Sequence, residues 1–156
     1  MHDHILKAEG VTRAADIAKR DGFGAFSELE GKAMKRIYTA FEALNTKGIN
    51  CIMLAHSQSR EVQDPLYDTY SRWEPKVPKR ACAVMVELSD IIGFSSQKVF
   101  TKSSGEDRTL AVTPDSNFYL TLNPRPSILA KNRSHLPDGI PTTWDALQAA
   151  LIAHNK

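Results

Sequence analysis

The sequence lacks a glycine-rich phosphate cradle. Its eight glycines never fall as G-x-x-x-x-G-K-[ST], and no G-x-G-x-x-G follows a strand-like run, so the chain taken alone offers no recognisable nucleotide pocket. Cysteine is scarce: Cys51 and Cys82 sit in apolar contexts, form no metal-ligand pair, and read as two buried thiols in a reducing cytoplasm. No stretch reaches the roughly 18 apolar residues of a membrane helix. The longest apolar run is Ile49 to Ala55, broken only by Asn50. The start, Met1-His2-Asp3-His4, has neither the basic patch nor the apolar run of a signal peptide. Charge of one sign is also missing: 20 basic against 18 acidic residues give a net +2. A dedicated nucleic-acid binder is far more basic, so any polyanion contact here is local. What is present, 42% apolar and 24% charged residues in a chain of 156, suits one globular domain and excludes a disordered tail, a coiled coil and a collagen-like chain.

Along the chain, residues 2–20 carry a loose apolar stripe (Ile5, Leu6, Ala8, Val11, Ala14, Ile17, Ala18) that predicts a helix weakened at Gly10. Asp21-Gly22-Phe23-Gly24 stops it. A second helix is expected from Ser27, with Ser27 and Glu30 as a capping box and Phe26, Leu29, Ala33, Ile37, Ala40, Phe41 and Leu44 recurring at helical steps; Gly48 suits the left-handed position that ends it. The unalternating run 49–55 predicts a strand buried on both faces, the mark of a parallel sheet covered by helices. Residues 57–75 are polar and unpatterned, with Tyr67, Tyr70 and Trp73 among charges, and loops of this length are usually functional or disordered. A helix follows Pro78 through Leu88. Strand-like runs at 90–94, 98–102, 109–113, 118–122 and 127–130, with a turn at 103–107, fill the second half. The last helix has Thr142 and Asp145 as its capping box and Trp144, Leu147, Ala150, Leu151 and His154 on one face.

Three constellations could carry chemistry. The exit of the run 49–55, Leu54-Ala55-His56-Ser57, lies where ligands bind in open parallel sheets, so His56 could touch a phosphate or an attacking water, or simply satisfy a loop carbonyl. The segment from Gln58 to Arg80 sets Arg60, Arg72, Lys76, Lys79 and Arg80 against Glu61, Asp64, Asp68 and Glu74. Aromatics among cations suit single-stranded nucleic acid, whose bases stack while its backbone follows the charge; a solvated lid is the other reading. In Ile128-Leu129-Ala130-Lys131-Asn132-Arg133 a strand would deliver two cations to one side of a sheet, where they could stabilise phosphoryl charge or merely flank a surface strand. His2 and His4 lack further metal ligands, Ser57 has no nucleophile elbow, and Glu28, Glu30 and Asp90 read as cap and surface carboxylates.

The apolar run with Ala55-His56-Ser57, then Tyr70-Ser71-Arg72-Trp73-Glu74-Pro75-Lys76-Val77-Pro78-Lys79-Arg80-Ala81, Leu88-Ser89-Asp90-Ile91-Ile92-Gly93-Phe94 and Leu129-Ala130-Lys131-Asn132-Arg133-Ser134-His135-Leu136-Pro137, in that order, resembles the phage-type AAA nucleotide-binding proteins, RecA-like P-loop ATPases linked to phage recombination and single-strand annealing. The likeness spans about residues 23 to 152. It implies an α/β fold: a partial RecA-like core with a mixed sheet, parallel at strand 49–55 and antiparallel later, flanked by helices. It implies that His56 is a phosphate sensor and that the segment 57–79 is a mobile DNA-facing loop, with Arg60, Tyr70, Arg72, Trp73, Lys76, Lys79 and Arg80 on nucleic acid. Lys131 and Arg133 match paired basic fingers that act in trans on a neighbour's nucleotide.

The family opens with a Walker A loop and a Walker B strand, and neither is present. The sequence is therefore expected to be the C-terminal portion of the core, residues 1–156 forming a single domain that starts just after Walker B. ATP and magnesium are expected in the complete protein and none in this chain alone, which should not hydrolyse ATP unaided. Strand 49–55 would be left with an unpaired edge and exposed apolar surface. The expected role is ATP-dependent DNA recombination or annealing in a phage or prophage, in the cytoplasm and away from membranes, with single-stranded DNA and either further copies of the chain or a P-loop-bearing partner. The alternatives are a non-enzymatic single-strand or partner-binding module, a fragment of a RecA-like replicative helicase, and a degenerate prophage remnant.

Overall fold

The computed structural model describes residues 1–66, 68–103, 109–112 and 116–154. Its elements in chain order are α1 (His2–Ala8), α2 (Ala14–Asp21), α3 (Ala25–Asn45), β1 (Ser57–Val62), β2 (Tyr70–Pro75), α4 (Lys79–Leu88), β3 (Ile91–Ile92), β4 (Phe94–Gln97), β5 (Phe100–Ser103), β6 (Thr109–Val112), β7 (Phe118–Thr121), β8 (Lys131–Asn132), β9 (Ile140–Pro141) and α5 (Trp144–His154). The chain divides into two compact units, one of residues 1–58 and 74–89, the other of residues 59–73 and 90–156. The fold is thus a mixed α/β one, as expected. Tyr67, the turn at 103–107 beyond Ser103, the last residue of the expected strand 109–113 and the side chain of His154 lie outside the described residues.

The first unit is helical. The single helix expected over 2–20 is two, because Gly10 takes a left-handed conformation (φ 67°) that ends α1 rather than weakening a continuous helix. Arg20 reaches back from α2 to Glu9 at 2.5 Å and closes the corner. Helix α3 begins at Ala25 with left-handed Gly24 as its cap, so Ser27 already sits inside the first turn and the expected Ser27–Glu30 capping box does not form. Glu30 is instead buried, with His2 Nδ1 3.8 Å away and the His2 ring edge-on to Phe26. The core is the seam of α3 and α4, where Met34 meets Ala81 and Met85 and where Tyr38, Met53, Val77 and Val84 pack around them. Tyr38 also hydrogen-bonds Ser89 across 2.5 Å at the end of α4.

The strand expected at 49–55 is absent. Residues 51–56 belong to no strand; Met53 packs on the α3–α4 core, whereas Ile52 is 60% and Leu54 92% exposed. An apolar run without alternation becomes a doubly buried strand only when a sheet neighbour and a second helical layer cover it, and no described strand pairs with this one. Cys82 is buried as expected, but Cys51 in this run is only half-buried. The segment read as an unpatterned loop holds two strands, β1 and β2, which pair with each other and are joined through residues 63–69.

The second unit is built of small antiparallel ladders, as expected for the later strands. β3 pairs with β8, β5 with β6, and β7 lies between β4 and β9. Among the described residues no parallel ladder of the RecA-like kind occurs; the one parallel contact is an isolated bridge between Trp73 and Ile128. Apart from that bridge the expected strand 127–130 is not one, and regular pairing begins at Lys131. Leu122, Leu136 and Ile140 form the core with Leu120, Leu147, Ala150 and Leu151 around them. Gly93, between β3 and β4, is required by proximity: a Cβ there would lie 3.0 Å from Leu122 Cδ2 and 3.2 Å from Leu120 Cδ2. At α5 the capping hydroxyl belongs to Thr143, which accepts from the Ala146 amide, and not to Thr142, whose hydroxyl pairs with that of Ser95. Trp144 stands half exposed rather than in the core.

Candidate nucleic-acid interface

Strand alternation decides which side chains β1 and β2 present. In β1, Gln58, Arg60 and Val62 are half-buried while Ser57, Ser59 and Glu61 are exposed. In β2, Tyr70 and Arg72 are half-buried, Glu74 is buried, and Ser71 and Trp73 are exposed. Arg60, Tyr70, Arg72 and Trp73 therefore come from one pair of strands instead of from a formless loop. The Trp73 indole is 44% exposed and stacks on Phe94 of β4, centroids 6.0 Å apart and planes 29° from parallel. Its backbone is fastened on both sides: Trp73 N–H donates to the Ser127 carbonyl at 2.8 Å, and its own carbonyl accepts from the Leu129 amide at 2.9 Å. The backbone that carries the ring is thus held in place, and the ring lies against phenylalanine with part of its surface exposed.

The remaining expected residues are placed as follows. His56 is exposed just before β1, and its carbonyl accepts the Lys76 amide at 2.6 Å. Lys76 is exposed at the end of β2, and Lys79 and Arg80 are exposed in the first turn of α4, Arg80 beside Gly31 of α3. These four residues belong to the first unit; Arg60, Tyr70, Arg72, Trp73, Lys131 and Arg133 belong to the second. Lys131 is half-buried in β8 opposite Ile92. Arg133 folds back on Asp90, its Nη1 3.2 Å from Oδ1 and its amide donating to the Asp90 carbonyl at 3.0 Å. The two cations are two residues apart, as the sequence required, but Arg133 already has a carboxylate at hand.

The loop after β8 is set by side-chain hydrogen bonds. Asn132 donates to the Leu136 carbonyl (2.8 Å) and accepts from the Leu136 amide (2.9 Å), which clasps the turn that takes His135 to φ 49°. Asp138 accepts from the amides of Leu122 (2.7 Å) and Asn123 (3.2 Å) and from Arg125 (2.7 Å). Burial by itself would push this carboxyl up, yet the two amides and the guanidinium outweigh it and hold it below the ordinary value.

Sequence reasoning missed Phe94, Lys98 and Tyr119; Asp90, read as a cap or surface carboxylate, is an exposed one that pairs with Arg133. Lys98 lies with Nζ 3.9 Å from the centroid of the Tyr119 ring. The signal was available only as aromatics at Phe94 and Phe118-Tyr119 in strand-like runs; nothing local says that Phe94 meets Trp73. As for a nucleotide, the residues present do not fit ATP and magnesium by themselves. Among the described residues no glycine-rich turn opens a helix with a lysine and a hydroxyl behind it, and no three carboxylate, histidine or cysteine groups gather to hold a cation. No helix among the described residues is long and apolar enough to cross a membrane.

Compared with known proteins, residues 2–134 match a family model described as an AAA domain. No curated protein and no solved structure matches the chain.

Proposed function

Because the chain belongs to the AAA domain family of P-loop NTPases, we propose that it works within a RecA-like ATPase of phage type that recombines or anneals DNA, where it engages single-stranded DNA and lends positive charge to a nucleotide held elsewhere. One observation carries the reading: Trp73 presents an exposed ring from the strand pair that also carries Arg60, Tyr70 and Arg72, with Tyr70 and Arg72 on the other side of β2 from the ring. Stacking on an exposed ring beside backbone-following cations is how sequence-tolerant single-strand binders work. Within the other unit, Lys76, Lys79 and Arg80 are proposed to contact nucleic acid, with His56 as phosphate sensor.

In this reading ATP and magnesium are held by a P-loop-bearing partner with which copies of this chain assemble. The contribution of this chain is Lys131 and Arg133, acting across a subunit boundary. Arg133 would have to be drawn from, or shared with, Asp90 to meet a phosphate. The experiment is ATP turnover by the isolated chain with and without oligodeoxythymidine, alongside fluorescence anisotropy of the labelled oligonucleotide at several salt concentrations. Salt-dependent binding without turnover is expected; vigorous hydrolysis by the chain alone refutes the assignment of the nucleotide elsewhere, and no binding at low salt refutes the single-strand role. The missing cradle also favours a second reading, a purely non-enzymatic single-strand binder. A P-loop-bearing partner whose turnover is unchanged by Lys131→Ala and Arg133→Ala would decide for that one.

A further inference from the structure

The sheet of β4, β7 and β9 has two unlike faces. Residues directly opposite in antiparallel strands project to the same side. Leu120 and Ile140 are therefore on one face, and Phe94, Ser96, Tyr119 and Thr121 on the other. The first face is closed by α5, where Leu147, Ala150 and Leu151 pack. The second carries rings, hydroxyls and a cation: Trp73 lies on Phe94, and the ammonium of exposed Lys98 lies over Tyr119. None of Phe94, Ser96, Tyr119 and Thr121 is fully buried, and none of the three strands contains an acidic residue. Phe94 and Tyr119 occupy diagonal positions, about 7–8 Å apart along the face.

We infer that this face of the β4–β7–β9 sheet is a base-stacking platform for single-stranded nucleic acid, in which a base lies on the exposed part of the Trp73 ring and Lys98 meets a neighbouring phosphate. The inference rests on the single-strand reading above but extends the contact beyond the β1–β2 pair to residues of β4 and β7. Phe94 and the two backbone bonds of Trp73 hold the indole before any ligand arrives, so a base that stacks there orders little that is not ordered already. The hydroxyls of Ser96 and Thr121 lie within the same face and offer donors and acceptors to base edges. An apolar protein partner would strip water from Lys98 and from those hydroxyls without replacing it, whereas a polyanion with flat bases uses all three groups.

The chain has two tryptophans, and Trp144→Phe leaves Trp73 as the sole emitter. In that background, oligodeoxythymidine of about 15 nucleotides is titrated at low salt, with anisotropy of a labelled oligonucleotide read in parallel. Expected are saturable quenching of Trp73 emission, binding about tenfold weaker for Trp73→Ala by anisotropy, and weaker binding for Tyr119→Ala, which removes the ring beneath Lys98, with Tyr119→Phe close to the parent. Lys98→Ala should weaken binding and flatten the slope of log K against log salt by about 0.7, and Lys98→Glu should weaken it further. Circular dichroism of each variant verifies folding, and exposed Lys98 gives a pair of variants independent of Tyr119. Binding that is weakened by Arg60→Ala and Arg72→Ala, yet is the same for Lys98→Ala, Lys98→Glu and the parent, overturns the platform while leaving the β1–β2 reading in place. Absence of any anisotropy change overturns both.

Discussion

Replacement of Asp138 by alanine tests the reasoning about the second unit most directly. Its Oδ1 accepts two backbone amides, and one of them belongs to Leu122, which is 0% exposed and has no water to turn to when its acceptor is lost. A hydrogen bond from a buried amide to a charged acceptor contributes about 1.5–3 kcal/mol. The Asn123 amide is exposed and recovers its bond from solvent, and the half-exposed Arg125 pair adds about 0–1 kcal/mol. Asp138→Ala should therefore cost about 2–3 kcal/mol, while Asp138→Asn, which keeps an acceptor oxygen but no charge, should cost about 1 kcal/mol. The chain has two units, so the readout must be local: amide hydrogen exchange at Leu120, Leu122 and Ile140, with urea unfolding alongside. Exchange at Leu122 should accelerate about 30- to 150-fold in the alanine variant. The charge gives the pH dependence its sign. The folded carboxyl is held below the ordinary 3.8, so its stabilisation is complete above that value and is lost as the pH falls below it through the folded pKa. The advantage of the wild type over Asp138→Asn should shrink only in that acid range. Acceleration of less than threefold in Asp138→Ala, or equal losses in the two variants, would refute the argument.

Three further outcomes are expected. Gly93→Ala places a methyl 3.0 Å from Leu122 Cδ2 and should cost about 1–3 kcal/mol in urea unfolding, because both neighbours are anchored in the core; a neutral result means that the strand gives way. Ile52→Thr with Leu54→Ser should leave stability within about 0.5 kcal/mol in urea unfolding, since both side chains are exposed; a loss of several kcal/mol would show that they are packed. Asp90→Asn should cost no more than about 1 kcal/mol in thermal unfolding, because both partners of its pair with Arg133 face water.

The helices α3, α4 and α5 were legible because their apolar spacing is local and is the same whatever surrounds them. The antiparallel pairing of the second half was legible as a class from its short strand-like runs and turns, though the register was not. The run 49–55 misled for a physical reason: continuous apolarity reports what a segment tolerates, and burial also needs neighbours, which only Met53 finds here. Gly10 and Gly24 misled by one degree of freedom, since a positive φ moves a helix end by several residues without altering the apolar pattern. In the candidate site, the composition of 57–80 pointed to Arg60, Tyr70, Arg72 and Trp73, and the alternation within β2 sets which of them is outward. Phe94 and Tyr119 were not legible, because their value lies in meeting Trp73 and Lys98, and cross-strand contacts between distant residues leave no mark in either local stretch.

The fastening of Trp73 has a kinetic side. The residue whose ring faces solvent is also the one whose N–H and carbonyl seal Ser127 and Leu129, and Lys131 follows two residues after Leu129. The amides of Trp73 and Leu129 are therefore both engaged in the pairing of residue 73 with residues 127–129. If a ligand stacks on the indole as inferred above, exchange at the Leu129 amide should slow, because that amide donates to the Trp73 carbonyl. Trp73 thus joins the exposed ring, through its own backbone, to the segment that runs into β8.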